Sequence, residues 1–202
     1  MAVSLDDVKK LKELTGVGLT DAKRALEEAD GDFDKALTVM REKGMTKAEK
    51  RGEREAREGL IDAYVHSGRI GVLVELNCET DFVAKTAEFK ALAHDLAMQI
   101  AAMSPKWINS ADIPAEEIDR KKAELLEAAK SDEKNSKKPA DVLEKIIQGQ
   151  MDKYFDELVL MNQIFWKDGE TKVSELVKQH IAKLGENVVV RQMKRIELGV
   201  TE

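Results

Sequence analysis

The chain has 202 residues, of which 43% are apolar, 36% are charged and only 4% are aromatic. This balance is typical of a helix-rich protein with an aliphatic core, and a net charge of −6 argues against nucleic acid as its default partner. The single cysteine, Cys78, excludes a disulfide framework and a multi-thiolate metal site. No apolar stretch approaches the length of a membrane span, and acidic residues stand where a signal peptide would be basic and then apolar. We therefore expect a cytoplasmic protein with no membrane contact.

Residues 1–44 carry the pattern of three short helices. Apolar residues recur at helical spacing in each: Leu5, Val8, Leu11 and Leu14, then Ala22, Ala25, Leu26 and Ala29, then Phe33, Ala36, Leu37 and Met40. Thr20 is the predicted N-cap of the second helix and Asp32 that of the third. Three helices in so few residues make a small core, so we predict a compact module.

Residues 45–58 are predicted to form a charged linker helix that separates two domains. The run 41–58 holds seven basic and five acidic residues, which favours a solvated helix with ion pairs between successive turns. The alternative is a nucleic-acid patch, which would depend on the basic residues Lys47, Lys50, Arg51 and Arg54.

Residues 59–202 are predicted to form an α+β core domain. Segments 59–66 and 70–78 are rich in β-branched residues and flank the turn formers of 67–69, which predicts a β-hairpin. A third strand is predicted over 187–198. Helical patterns cover 89–103, 115–130, 139–161 and 173–184, so we expect an antiparallel sheet of about three strands packed with helices.

The sequence offers little support for an enzyme or a metal site. Asp30, Asp32 and Asp34 resemble the start of a calcium loop, but Lys35 and Arg41 replace its glycine and its bidentate glutamate. No phosphate-binding glycine loop is present. We therefore predict no catalytic residues, no metal site and no cofactor.

Cys78 is a candidate nucleophile. An enzyme would need this thiol beside an activating base, for which His66 and His94 are the candidates. Cys78 ends an apolar strand, however, and the third histidine, His180, lies on an apolar helix face. A buried structural thiol and a core histidine are therefore the favoured interpretations.

The segment 77–85, with the sequence NCETDFVAK, is the most unusual in the chain. A strand runs into a turn that begins a helix, with Thr80 or Asp81 as the N-cap. Phe82 lies at this corner, where two interpretations remain open. Either Phe82 tucks under the sheet as a hydrophobic staple, or it protrudes as an aromatic wedge for a partner's pocket.

Several motifs together identify a family resemblance. They are VKKLKELTGVGL over 8–19, DAKRAL over 21–26, IGVLVELNCETDFVA over 70–84, AMQIAA over 97–102 and IAKLGEN over 181–187. The chain resembles the elongation factor Ts family, whose members are guanine-nucleotide exchange factors of the translation GTPase EF-Tu. The likeness runs nearly from end to end.

The resemblance implies two contact regions for EF-Tu in its GDP-bound and nucleotide-free states. The N-terminal module is similar to a ubiquitin-associated three-helix fold, and Lys12, Leu19 and Thr20 would dock it on the nucleotide domain. Many members carry methionine at the position of Thr20. The second region is the family's intruding turn, which corresponds to Thr80, Asp81, Phe82 and Val83. Phe82 would wedge near the Mg²⁺ and phosphate sites of EF-Tu and dislodge the ion, with Asp81 making polar contacts beside it.

The chain resembles a short form of the family with a single core. Longer members carry a duplicated core half and a coiled-coil insertion, so a homodimer is expected to supply the second surface here. The rival interpretation is a generic protein-binding module with a ubiquitin-associated-like head and no exchange activity. It leaves the segment 80–84 unexplained.

Overall fold

The computed structural model describes residues 3–15, 18–40, 51–131 and 139–200. The chain divides into two compact units, Met1–Ala101 with Ser174–Glu202 and Ala102–Val173. The described residues combine N-terminal helices with a three-stranded antiparallel sheet packed with helices, which confirms the predicted α+β class.

Three helices form the N-terminal module, as predicted. They are α1 (Leu5–Thr15), α2 (Leu19–Glu28) and α3, which is described over 33–40. The backbone N–H of Lys35 donates to Oδ1 of Asp32 at 3.1 Å, which confirms Asp32 as the cap of α3. A small aliphatic core holds the helices together, with these residues buried: Val8, Leu11, Ala22, Ala25, Leu26, Ala36 and Met40.

The predicted N-cap of α2 is wrong. Gly18 occupies that position with an extended backbone (φ −65°, ψ 152°), and no side chain caps the helix. Because Gly18 already provides the backbone conformation of an N-cap, α2 begins at Leu19 and Thr20 falls in its first turn. The Thr20 side chain is exposed there.

The sheet comprises β1 (Glu58–His66), β2 (Ile70–Cys78) and β3 (Val189–Glu197) in the order β1-β2-β3. Both neighbouring pairs are antiparallel. Ser67 and Gly68 have φ values of 52° and 66°, and two successive positive values define the turn type that matches the twist of a hairpin. The predicted hairpin and the predicted third strand are therefore confirmed.

Helices cover one face of this sheet. The short α4 (Asp81–Ala84) follows β2 and leads into α5 (Ala87–Met103), while α8 (Val173–Leu184) precedes β3. The inward side chains of β2 and the apolar stripe of α5 are buried: Val72, Val74, Leu76, Phe89, Leu92, Ala93, Leu96 and Ile100. Met103, the last predicted member of that stripe, is exposed because it lies at the end of α5.

The second unit is mainly helical. Helices α6 (Ala115–Ser131) and α7 (Ala140–Leu158) pack together, and Nζ of Lys121 lies 4.3 Å from the ring centroid of Tyr154. Two short 3-10 helices, Ser110–Asp112 and Leu160–Asn162, flank the pair along the chain. The predicted polar run 131–138 lies outside the described residues except for its first member. Within the described ranges, no helix is both long enough and apolar enough to cross a membrane.

The predicted linker helix is described only in its last part. Residues 45–50, and with them the predicted boundary after residue 44, lie outside the described residues. Arg51 is helical, 52–54 form a turn, and 55–57 have no regular structure before β1 begins at Glu58. The helix therefore does not reach residue 58.

Gly59 provides a test of this sheet. Its φ is 152°, and a Cβ placed there would lie 2.2 Å from the carbonyl oxygen of Leu76 on the paired strand. We expect Gly59→Ala to lower the free energy of unfolding by about 3 kcal/mol, because both the backbone and the strand contact would be strained. Urea unfolding followed by circular dichroism measures this.

The matched control is Gly71→Ala. Gly71 lies in β2, and a Cβ there would meet nothing within 4 Å. We expect this substitution to change the free energy of unfolding by no more than about 0.5 kcal/mol. Equal effects of the two substitutions would contradict the described approach of β1 to β2.

Candidate functional site

The turn after β2 is built from hydrogen bonds within a few residues. Thr80 has an extended backbone (φ −129°, ψ 154°) and caps α4, because its Oγ1 accepts a hydrogen bond from the N–H of Val83 at 3.5 Å. The Thr86 hydroxyl donates to the carbonyl of Val83 at 2.8 Å and accepts from the N–H of Phe89 at 3.2 Å. Thr86 thus closes α4 and caps α5. Of the two predicted N-caps, Thr80 is the one used.

Phe82 protrudes from this turn. Its side chain is 80% exposed, the largest exposure among the exposed large apolar residues of the described ranges. The interpretation in which Phe82 tucks under the sheet is therefore wrong. Burying such a side chain contributes about 2 kcal/mol, so its exposure forgoes stability that a partner can recover by covering it.

Asp81 and Lys85 flank the exposed ring with an ion pair. Nζ of Lys85 lies 2.5 Å from Oδ2 of Asp81, one helical turn away. The hydrogen bond from Lys85 lowers the pKa of the Asp81 carboxyl below its usual value, and the same bond raises the pKa of Lys85. Both groups are therefore charged at neutral pH. Because they are exposed, the pair contributes little to stability and remains available to a partner.

Glu186 holds the turn from a distant part of the chain. It lies between α8 and β3, and its Oε2 accepts hydrogen bonds from the backbone N–H of Glu79 at 3.1 Å and of Thr80 at 2.9 Å. Its Oε1 accepts from the Thr80 hydroxyl at 2.6 Å. One carboxylate thus satisfies three donors at the start of the turn, and hydrogen bonds to a charged acceptor are the stronger kind.

The carboxylate of Glu79 binds the segment that carries Glu186. Its Oε1 accepts a hydrogen bond from the backbone N–H of Asn187 at 2.7 Å, and its Oε2 lies 3.5 Å from Nη1 of Arg54. The buried Asn187 side chain donates to the carbonyls of Arg54 at 2.7 Å and of Gly52 at 3.3 Å. Each carboxylate therefore binds backbone N–H groups of the segment that carries the other, Glu186 those of Glu79 and Thr80 and Glu79 that of Asn187. We call the contacts made by Glu79 and Glu186 the reciprocal clamp.

The residues of the reciprocal clamp were not among the predicted site residues. The sequence contained one signal, since Glu186 and Asn187 end the family motif over 181–187. Their contact with the turn spans 106 to 108 positions, however, and no local pattern contains it.

The predicted N-terminal contact residues lie near the junction of α1 and α2. Lys12 is in the last turn of α1, while Leu19 and Thr20 begin α2, and all three side chains are exposed. They are accessible to a partner, as the resemblance requires. Their role as contacts stays a prediction.

The described residues do not bring together a metal site, nor a catalytic pair of the Cys78 thiol with His66 or His94. Among the described residues, no group of three or more metal-binding side chains is present. Nδ1 of His66 lies 3.0 Å from the Tyr64 hydroxyl, and Nδ1 of His94 lies 2.9 Å from a carboxylate oxygen of Asp62. Both candidate bases therefore have partners other than the Cys78 thiol.

Two residues of the alternative nucleic-acid patch are described. Arg54 lies beside Glu79, and Arg51 donates to the carbonyl of Ile181 at 3.2 Å. Both guanidinium groups thus have partners within the chain. Lys47 and Lys50 lie outside the described residues.

Cys78 lies beneath the turn as a buried thiol, as predicted. Its Sγ donates to the carbonyl of Thr80 at 3.1 Å. Burial raises the pKa of this thiol from 9.0 to about 11, and the negative charge of Glu186 acts in the same direction. The group is protonated at neutral pH and is a poor nucleophile.

The raised pKa of Cys78 predicts a pH dependence of stability. The unfolded chain releases the thiol proton near pH 9, whereas the folded protein keeps it until about pH 11. The thiol's contribution to the free energy of unfolding is fully present below pH 9.0, and it is lost as the pH rises from 9.0 to about 11. We expect the free energy of unfolding to fall more steeply over this range in the wild type than in Cys78→Ala, as measured by urea unfolding. Parallel curves would contradict the raised pKa.

Comparisons with known proteins identify the family of this chain. A family model described as elongation factor TS matches residues 4–200. Proteins named elongation factor Ts from Thermodesulfovibrio yellowstonii and Herpetosiphon aurantiacus are 46% and 47% identical to this chain, and the alignments cover 100% and 98% of it and 99% of each relative. The elongation factor Ts of Carboxydothermus hydrogenoformans is 50% identical, with 95% of this chain and 87% of the relative covered. The chain belongs to the elongation factor Ts family.

Proposed function

We propose that this chain is a translation elongation factor that binds EF-Tu·GDP in the cytoplasm and promotes the release of GDP, so that GTP can bind. The observation that carries the proposal is the exposure of Phe82 on a turn held by the reciprocal clamp. A large aromatic side chain that is exposed and rigidly presented is typical of a binding hot spot.

The proposed mechanism is differential binding. In GTPases, GDP is held by phosphate contacts and by Mg²⁺, which bridges phosphate and protein. A factor that binds the nucleotide-free conformation more tightly than the GDP-bound one must weaken GDP binding by the same ratio. Phe82 would enter the region of the ion and displace it, and the charged Asp81 would contact polar groups beside it.

The four residues of the turn have different parts in this proposal. Phe82 and Asp81 are the contact residues, since both extend from the turn. Val83 is partly buried and donates its N–H to the Thr80 hydroxyl, which also donates to Glu186. Thr80 would thus act by shaping the turn.

The N-terminal module would provide the affinity. Lys12, Leu19 and Thr20 are exposed near the α1–α2 junction and would dock on the nucleotide domain of EF-Tu. Exchange by this route makes and breaks no covalent bond, so it needs neither an acid nor a nucleophile. The protonated thiol of Cys78 is consistent with such a role.

A homodimer that supplies a second surface is the remaining part of the proposal. The outward face of the sheet supports it, because cross-strand neighbours from all three strands leave apolar side chains exposed: Ile61, Ala63, Val65, Leu73 and Ile196. An exposed apolar patch of this kind is typical of an interaction surface, and a two-fold dimer would bury the same patch on both copies.

The exchange proposal is tested by release of a fluorescent GDP analogue from EF-Tu. We expect the wild-type chain to accelerate release. The acceleration by Phe82→Ala should be about tenfold smaller than that by the wild type, as for the removal of a binding hot spot. The matched control is Trp166→Ala, which removes another exposed aromatic side chain and is expected to leave the rate unchanged. Chelation of Mg²⁺ by EDTA verifies that the EF-Tu preparation can release its nucleotide.

Two results would contradict parts of this proposal. Equal acceleration by Phe82→Ala and the wild type would show that Phe82 is not the wedge. No acceleration by the wild type, with active EF-Tu, would favour the generic binding module.

The dimer is tested by sedimentation velocity at micromolar concentration. We expect about twice the monomer mass for the wild type and the monomer mass for Ile196→Glu, because a charge placed within an apolar interface is costly to bury. Leu5→Glu, at an exposed position of α1, is the control and is expected to leave the mass unchanged. A wild-type monomer, both free and in complex with EF-Tu, would overturn the dimer.

A further inference from the structure

We propose that Glu186 is a positioning residue for nucleotide exchange, which acts by fixing the orientation of the turn that carries Phe82. This inference rests on the proposed exchange function. It assigns a role to a side chain that is distant in sequence from the turn and whose two carboxylate oxygens are engaged by the turn itself.

A relay of two hydrogen bonds links Glu186 to α4. Oε1 of Glu186 accepts a hydrogen bond from the Thr80 hydroxyl at 2.6 Å. The lone pairs of that hydroxyl oxygen therefore point away from the carboxylate. The same oxygen accepts the N–H of Val83 at 3.5 Å. Val83 follows Phe82 in the single turn of α4, so the carboxylate orients the helix from which the ring extends.

Glu186 also binds the backbone that precedes α4. Oε2 of Glu186 binds the N–H groups of Glu79 and Thr80, the last two residues before the helix. Strands and helices ordinarily satisfy such donors, but at this junction neither element does so. Without the carboxylate, the two donors would have to rotate toward water, and the direction in which α4 leaves the sheet would change.

The residues on both sides of Glu186 hold its backbone in place. Gly185 ends α8 with a φ of 81°, a conformation that favours glycine, and its N–H donates to the carbonyl of Ile181 at 3.0 Å. On the other side, Asn187 is only 2% exposed and is bound through its backbone N–H and its side chain. The backbone on both sides of Glu186 is therefore held in place, and the carboxylate orients the turn from this support.

The test measures release of the fluorescent GDP analogue from EF-Tu with Glu186→Gln. A glutamine keeps the shape of the side chain, but its NH₂ group replaces one acceptor oxygen with a donor. We expect about a tenfold loss of acceleration, because charge-assisted hydrogen bonds to the turn are removed. Glu88→Gln is the matched control, since Oε1 of Glu88 lies 2.6 Å from Nζ of Lys183, and it should exchange at the wild-type rate.

A double-mutant cycle tests whether Glu186 acts through Phe82. In the Phe82→Ala background, Glu186→Gln should cause no further loss of acceleration, because the ring that it positions is absent. An equal loss in both backgrounds would overturn the inference, since Glu186 would then act by another route.

A pair of substitutions at Thr80 separates positioning from stability. Thr80→Val keeps the shape of the side chain but removes the hydroxyl of the relay, and it should lose acceleration as Glu186→Gln does. Thr80→Ser keeps the hydroxyl and should retain most of it. Hydrogen exchange of the amides of 79–83 should become faster in Glu186→Gln and in Thr80→Val, while the urea midpoints identify any variant that fails to fold.

The outcomes distinguish this inference from the proposed function. Wild-type acceleration with no loss in Glu186→Gln or Thr80→Val would overturn the positioning role and leave the exchange function intact. No acceleration by the wild type would overturn both. If Glu186→Gln does not fold, the comparison of Thr80→Val with Thr80→Ser decides, and equal rates for these two would overturn the inference.

Discussion

The reciprocal clamp is the contact on which the functional part of this molecule depends. Two carboxylates, from Glu79 and Glu186, each accept backbone hydrogen bonds from the junction that contains the other. Asn187 extends the clamp to the carbonyls of Gly52 and Arg54, in the segment that precedes β1. Three separate stretches of chain thus meet at one end of the sheet, where β2 ends and β1 and β3 begin. Charge-assisted hydrogen bonds suit this place, because no strand or helix satisfies these backbone donors.

This rigidity explains how the chain can expose an aromatic ring. A mobile Phe82 would lose conformational entropy on binding, whereas a ring on a fixed turn has already lost most of that freedom. The reciprocal clamp thus holds the exposed Phe82 ring, which is unfavourable for stability, in a fixed orientation in which a partner can bind it. Nothing in this arrangement requires covalent chemistry, and the buried thiol beneath the turn is held in its unreactive, protonated form.

Local patterns predicted the elements that depend on near neighbours. The hairpin followed from β-branched runs around Ser67 and Gly68, and the cap of α3 followed from Asp32, because each depends on residues within a few positions. The prediction of the α2 N-cap was wrong because two nearby residues, Gly18 and Thr20, can both serve as an N-cap. The side chain of Thr20 predicts a cap, but Gly18 occupies the N-cap position through its backbone conformation.

The sequence by itself determined the α+β class, the three N-terminal helices, the strand-to-helix corner at Phe82 and the family. These depend on periodicity, on turn residues and on motifs that are contiguous in the chain. Only the tertiary structure decided that Phe82 is exposed, that one face of the sheet carries exposed apolar side chains, and that Glu186 caps the turn. The physical reason is that burial and long-range hydrogen bonds depend on which distant surfaces meet. Residues more than a hundred positions apart carry no local signal of their contact.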